Sequence, residues 1–108
     1  MPLGELRRPS GIDRAVAVLR AEPADLTARY GLRFERDFDN LAYHWAAAVR
    51  LPSGRSVLFI RYDGSPQPGT EVLADGAESP VAIWAEFSEA FSLDGSAATW
   101  RADDGTHP

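Results

Sequence analysis

The sequence predicts an α+β fold: a two-layer sandwich in which an antiparallel meander sheet of four or five strands is covered by one main helix, with two short N-terminal helices. The main evidence is a hairpin pattern. Two runs rich in aromatic and β-branched residues, Tyr43 to Leu51 and Ser56 to Tyr62, flank the turn-forming residues 52–55. Two such runs around a Pro/Gly turn are typical of adjacent antiparallel strands.

A third strand is predicted before this hairpin and a helix after it. Apolar and polar residues alternate from Leu32 to Phe38, except at Arg36, as they do in a half-buried strand. Ser79 followed by Pro80 is a helix-start signal, and the helix is expected to continue to about Ser92. The apolar stripe of this helix is expected to pack on one face of the sheet and cover it.

The positions of the turns predict the register of the meander. With the hairpin tip at residues 53–54, Trp45 faces Tyr62; with the upstream tip at residues 40–41, the first strand keeps its apolar residues on the same face. A bulge at Gly54 would shift the hairpin by one residue and turn one strand over. The predicted core consists of Phe34, Phe38, Trp45, Val49, Leu58, Ile60, Trp84, Phe87 and Phe91.

The opposite face of the meander is predicted to be charged and open to solvent. On this register His44 lies between Asp37 and Asp63, and Ala46 has Glu35 and Arg61 as its neighbours. Phe59 would be a bare aromatic on the same face. The candidate binding residues are therefore Glu35, Asp37, His44, Phe59, Arg61 and Asp63.

Two short helices are predicted at the start of the chain. Ser10 or Asp13 can cap the first, whose apolar residues recur at helical spacing: Ile12, Ala15, Val16 and Leu19. The second runs from Ala24 to Tyr30, with Pro23 in its first turn and Gly31 as its stop. A Pro in the turn and a short second helix argue against a DNA-binding helix-turn-helix, so the pair is expected to pack on the sheet.

The remaining elements complete a single domain spanning residues 1–108. Residues 71–73 are expected to form a fourth strand and residues 97–101 a last strand, which a helical connection allows to lie parallel to a neighbour. Residues 1–10 are expected to be a flexible lead-in and residues 103–108 a flexible tail.

Composition narrows the function classes. The chain has 16 acidic and 11 basic residues, for a net charge of −5. This balance disfavours nucleic-acid binding, which needs a basic patch, and favours a basic protein partner. The basic residues are all Arg, which we take as a sign of a GC-rich bacterial genome. No apolar run is long enough for a membrane span, and the first residues lack the apolar core of a secretory signal.

The absence of Cys excludes a disulfide framework, a thiolate metal site and a Cys nucleophile, and it is compatible with a cytoplasmic protein. The most suggestive polar constellation is Asp37, His44 and Asp63, which can in principle supply a general base and an orienting acid. No nucleophile motif, phosphate-binding loop or calcium loop accompanies it. We therefore expect no catalytic residue, no metal and no cofactor.

Two function classes remain. The first is a small acidic protein-binding module, such as an inhibitor, an immunity protein or an effector-masking chaperone. The C-terminal half resembles small bacterial toxin-immunity proteins in its order of elements: a meander ending in Tyr62-Asp63-Gly64, a Pro-capped helix ending in Glu89-Ala90-Phe91, and a strand with Trp100. That resemblance implies charge-complementary binding to a basic partner.

The second class is a small enzyme or ligand-binding protein that uses the Asp37/His44/Asp63 cluster. A buried His44 in a cleft would favour this class, and an exposed His44 on an open face would favour the first. Apolar residues on the predicted open face, Val57 and Phe59, would also allow a homodimer.

Overall fold

The computed structural model describes residues 12–38, 43–76 and 79–102. They form an α+β fold with a six-stranded, antiparallel, open sheet and two α-helices. The elements in chain order are β1 (Ile12–Leu19), α1 (Pro23–Tyr30), β2 (Glu35–Phe38), β3 (Tyr43–Arg50), β4 (Ser56–Tyr62), β5 (Thr70–Asp75), α2 (Pro80–Ala90), a 3₁₀ turn (Gly95–Ala97) and β6 (Ala98–Arg101). The sheet order is β2-β3-β4-β5-β1-β6.

The first predicted helix is wrong, because Ile12–Leu19 is a strand. Strand β1 lies between β5 and β6 and pairs antiparallel with both. The spacing of its apolar residues fits a helix, but the run is also rich in Ala and Val and supplies a central strand. Pairing on two sides outweighs local helical propensity, which is a weak determinant of structure. The predicted lead-in and tail lie outside the described residues.

The two α-helices follow their local sequence signals, as predicted. Helix α1 starts at Pro23, has a capping box between Glu22 and Asp25, and ends at Gly31, whose φ of 70° is left-handed. Helix α2 starts at Pro80 behind Ser79, whose side chain accepts a hydrogen bond from the backbone of Ala82. Each start combines a cap with Pro in the first turn.

The predicted hairpin register is wrong by one residue. Trp45 pairs with Arg61, and Ala47 pairs with Phe59, so β4 is turned over relative to the prediction. The cause is the loop: Leu51 N donates to Arg55 O at 2.7 Å. The loop therefore holds three residues, 52–54, with Gly54 at a φ of 95°. The β2–β3 register is confirmed, since Phe38 pairs with Tyr43.

The main core lies between one face of the sheet and the two helices, and we call this face the helix side. Its buried residues include Phe59 and Val57 of β4, Leu26 of α1, and Ile83 and Phe87 of α2. A second cluster of strand residues lies on the other face and contains Ala48, Leu58, Ile60 and Leu73. The shifted register is the reason that Leu58 and Ile60 belong to this second cluster.

The core prediction is only partly confirmed. Val49, Leu58, Ile60, Trp84 and Phe87 are buried, whereas Phe34 and Phe91 are partly buried. The two remaining residues, Phe38 and Trp45, are exposed. The last strand also differs from expectation, because β6 pairs antiparallel with β1 at the far edge of the sheet.

Candidate functional site

Four residues of β2 and β3 form an exposed aromatic surface, which we call the aromatic patch: Arg36, Phe38, Tyr43 and Trp45. Arg36 pairs with Trp45 and Phe38 pairs with Tyr43, so all four side chains lie on one face of the sheet. The side chains of Phe38, Tyr43 and Trp45 are 59%, 54% and 39% exposed. Trp45 alternates with the buried Ala47 and Val49, which places the patch on the helix side, beyond the area that the helices cover.

Arg36 organises this patch. Its guanidinium carbon lies 5.3 Å from the ring centre of Tyr43 and 5.0 Å from that of Trp45. The same guanidinium donates through Nη1 to Asp63 Oδ1 at 2.8 Å and through Nη2 to Asp63 Oδ2. A fork on one carboxylate and two aromatic neighbours hold the Arg36 side chain in a defined position.

The ion pair has a clear electrostatic consequence. The hydrogen bonds from Arg36, reinforced by its charge, hold the pKa of Asp63 below its usual value, and the pKa of Arg36 is raised in return. Asp63 therefore stays ionised under ordinary conditions and serves as the anchor of Arg36.

A cleft of about 770 Å³ adjoins the patch, shares Trp45 with it and is also lined by Asp63, the partner of Arg36. Helix α1 and the segment after it form one wall, and the ends of β3 and β4 form the other. The apolar lining includes Leu32, Phe34 and Pro23, and the polar lining includes Arg33, Arg61 and Thr27. This volume lies within the range of about 300–1,000 Å³ that is common for ligand pockets.

Two charged residues that line the cleft, Arg61 and Glu22, make contacts within the fold. Arg61 donates to the carbonyl oxygens of Gln67 and Gly69, the latter at 3.2 Å, and its Nε lies 3.7 Å from Glu22 Oε1. Glu22 in turn accepts from the backbone N–H of Gly69. These contacts connect the start of α1 to the β4–β5 loop and fix the cleft wall.

The six residues proposed from the sequence do not form one surface. Glu35, Asp37 and His44 lie on the face opposite the helices, as shown by their pairing with Ala46 and with each other. Arg61 and Asp63 belong to the helix side, where they line the cleft. Phe59 is fully buried in the main core and is not a surface residue.

The Asp37/His44/Asp63 cluster is likewise divided. Asp37 pairs with His44, but the Asp63 carboxylate lies against Arg36. His44 is 3% exposed, and its ring centre lies 5.1 Å from that of Tyr62. Among the described residues, no group of three or more His, Asp or Glu side chains could hold a metal ion.

The sequence reasoning missed Arg36, Tyr43 and Trp45 as functional candidates. The apolar alternation indicated the face of Tyr43 and Trp45, but not that these side chains are left exposed on it, and Arg36 was an exception to the alternation. The signal for the shifted hairpin was present, because Gly54 can adopt the left-handed conformation of a three-residue loop.

Comparison of the chain with protein-family models, with curated proteins and with solved structures found no match. Within the described ranges, neither helix is long and apolar enough to cross a membrane.

Proposed function

We propose that this chain is a non-catalytic protein-binding module whose partner docks on the aromatic patch and inserts a side chain into the adjoining cleft. The observation that supports it is the concentration of exposed aromatic area. In the described part of the chain, the large exposed apolar residues are Phe38, Tyr43, Trp45 and Val81, and three of these four are neighbours on the patch. Clustered exposed apolar residues commonly mark interaction sites.

The residue types of the patch are those that dominate binding energy in protein interfaces. Trp, Tyr and Arg are enriched among residues whose loss weakens binding most. Arg36 is already fixed by Asp63 and by the two rings, so little side-chain entropy remains to be lost on binding. The aromatic patch is thus preorganised for binding.

Charge at this edge of the sheet favours a basic partner. The chain carries a net charge of −5, and Glu35 and Asp37 lie beside Arg36 on the exposed strand β2, on the opposite face of the sheet from the patch. Opposite charges on the partner would speed association and make it sensitive to salt. An inhibitor of a basic protein, of the immunity or effector-masking kind, fits this combination of an acidic face and an aromatic face at one edge of the sheet.

Binding of a small ligand is a second candidate function, and the cleft itself favours it. Trp45 and Phe34 offer an apolar lining, and Arg33 is an exposed cation beside them. A screen of small aromatic acids by thermal shift, with Trp45→Ala as the control, tests this alternative. A ligand that raises the melting temperature of the wild type but not of Trp45→Ala would establish it.

Site-specific photo-crosslinking tests the protein-binding proposal. A benzoylphenylalanine is placed at Tyr43 or, as the control, at Val81, which is also exposed but lies on α2. Proteins crosslinked in host cells from position 43 and not from position 81 are identified, purified and titrated against the protein by calorimetry.

We expect Tyr43→Ala to weaken binding of such a partner by about tenfold or more, and Val81→Ala to leave it unchanged. The proposal is overturned if position 43 captures nothing beyond the control. It is also overturned if the captured protein binds Tyr43→Ala as tightly as it binds the wild type.

A further inference from the structure

The outer edge of β2 is an open sheet edge beside the aromatic patch. Strand β2 is at one end of the sheet, and within the described ranges only β3 pairs with it. All four residues of β2 are exposed. An edge strand of this kind presents backbone donors and acceptors to which another strand can add.

The pairing pattern identifies the backbone groups that face outward. Asp63 N donates to Tyr43 O at 3.0 Å, so the backbone groups of Tyr43 point toward β4 and away from β2. Phe38 and Tyr43 are therefore a non-hydrogen-bonded pair, in which the groups of Phe38 also point away from the partner strand. By the same alternation, the N–H and C=O of Arg36 face outward, while those of Glu35 and Asp37 face β3.

One of these outward-facing backbone groups already has a hydrogen-bond partner. The backbone N–H of Phe38 donates to the side chain of Asp37 at 2.8 Å. Among the described residues, this leaves the N–H and C=O of Arg36 and the C=O of Phe38 available at the edge. Arg36 is consequently the residue at which an added strand can exchange two backbone hydrogen bonds.

Charge argues against a second copy of this chain as the added strand. Around a twofold axis normal to the sheet, two copies of β2 bring residues of the same face opposite each other. One register places Arg36 against Arg36 and Glu35 against Asp37, and the next places Asp37 against Asp37. Like charges directly opposite each other destabilise a strand pair, and charged edges commonly prevent self-association.

The side chains on the two faces of β2 instead favour an added strand whose sequence differs from that of β2. Glu35 and Asp37 lie on one face and call for basic residues opposite them. Arg36 and Phe38 lie on the other face, next to Tyr43, and suit aromatic or aliphatic residues. We propose that the partner adds an antiparallel strand to β2, in which basic residues alternate with apolar ones. This inference rests on the proposed function and specifies how the partner docks.

Synthetic peptides test it without knowledge of the partner. The probe is Lys-Val-Lys-Phe-Lys-Val-Lys, capped at both ends, and the composition-matched control is Lys-Lys-Lys-Lys-Val-Val-Phe. Both are titrated into the isotope-labelled protein and followed by amide chemical shifts. We expect the alternating peptide to bind about tenfold more tightly than the control and to shift the amides of Arg36 and Phe38.

Backbone methylation isolates the strand pairing. In the antiparallel arrangement, the apolar residues of the peptide lie opposite Arg36 and Phe38, so their N–H groups face β2. N-methylation of the Val and Phe residues is expected to reduce affinity about tenfold, because backbone hydrogen bonds are lost. N-methylation of the Lys residues is expected to leave affinity nearly unchanged. The protein is unaltered in this comparison, so its folding is not in question.

The outcomes separate the two proposals. Equal binding of the alternating and control peptides, equal effects of the two methylation patterns, or no binding of either peptide overturns strand addition. A crosslinked partner that needs Tyr43 would still support the protein-binding function in each of these cases. Concentration-dependent dimers in sedimentation, abolished by Arg36→Pro and not by Arg36→Ala, would identify a second copy as the occupant and overturn the inference.

Discussion

Arg36 and Asp63 form a two-point ion pair across three strands: Arg36 is on β2, Asp63 follows β4, and β3 lies between them. To reach Asp63, the Arg36 side chain passes over Tyr43 and Trp45 of the middle strand. One carboxylate thereby fixes the position of a cation and of the aromatic surface beneath it. Asp63 directly follows the last residue of β4, and its side chain is exposed.

This pair predicts the titration behaviour of Asp63. Its pKa should lie below the ordinary value of 3.8, because hydrogen bonds from Arg36 favour the ionised form. A lowered folded-state pKa means that the pair contributes stability above the ordinary pKa and that this contribution is lost as the pH falls through the folded-state value. Carbon-detected NMR of the carboxyl groups measures it.

Arg36→Gln is the informative variant for this prediction. Loss of the guanidinium should raise the pKa of Asp63 toward 3.8, while the pKa of Asp94, which is lowered by hydrogen bonds from Ser96, stays where it is. An unchanged Asp63 titration in Arg36→Gln would contradict the ion pair. A parallel shift of Asp94 would indicate a general change of the fold.

Phe59 was a candidate binding residue from sequence, and the structure predicts a purely structural role for it. Its ring is fully buried and lies 5.6 Å from the ring of Phe87 and 5.7 Å from that of Phe91. Phe59→Ala should reduce the free energy of unfolding by about 3–5 kcal/mol, because a large cavity opens in the main core.

Urea denaturation checks this prediction, with Phe59→Leu as the control, for which a smaller loss is expected because most of the buried apolar volume is kept. If Phe59→Ala lost under about 1 kcal/mol, the burial of this side chain between sheet and helix would be wrong.

The signals that predicted the fold correctly are local ones. Ser79-Pro80 and Pro23 start the two helices and Gly31 ends the first, because caps act within one turn of the chain. The strand β1 shows the limit of local reasoning. Ile12–Leu19 has apolar residues at helical spacing, but β5 and β6 pair with it on both sides. Those neighbours are distant in sequence, so no local pattern reveals them.

The site was harder to predict than the fold, for two physical reasons. A single extra loop residue at Gly54 turned β4 over and moved Phe59 inside and Ile60 to the opposite face. Periodicity also identifies the face on which Trp45 lies but not where the covering helices end. Trp45 belongs to the same face as Val49, yet it is 39% exposed and lines the open cleft beside α1.

Replacing Gly69 by Ala should destabilise the fold much more than replacing Gly64 by Ala. Its φ is 97°, and a Cβ at this position would overlap the carbonyl oxygen of Leu19. Gly64 also has a positive φ, of 74°, but the space around it is open. Gly69→Ala should therefore be destabilised by about 3 kcal/mol or more, whereas Gly64→Ala should lose only about 1–2 kcal/mol for its left-handed backbone.

Thermal unfolding of both variants measures this difference. Equal melting temperatures for Gly69→Ala and Gly64→Ala would mean that the β4–β5 loop does not approach the end of β1 as closely as described. Loss of soluble Gly69→Ala with normal Gly64→Ala would agree with the prediction.

Glu86 connects α2 to the turn that sets the hairpin register. Its Oε2 accepts from the backbone N–H of Ser53 at 2.6 Å, its Oε1 accepts from the Ser53 hydroxyl at 2.7 Å, and Arg55 Nη1 lies 3.6 Å away. These hydrogen bonds, with the Arg55 charge, lower the pKa of Glu86 below its ordinary 4.5. The carboxylate should therefore stabilise the fold above pH 4.5 and cease to do so as the pH falls through the lowered value.

Glu86→Gln is expected to unfold at a lower urea concentration than the wild type at pH 7, because a neutral amide is a weaker acceptor for two donors and has no charge to offer Arg55. The gap between the two midpoints should narrow at a pH below the lowered pKa of Glu86, where the wild-type carboxylate is also neutral. Glu89→Gln, on the exposed side of the same helix, is the matched control and should follow the wild type at both pH values. A gap of equal size at pH 7 and below that pKa would show that Glu86 acts through its shape and not through its charge, and the contact with the turn would then not depend on ionisation.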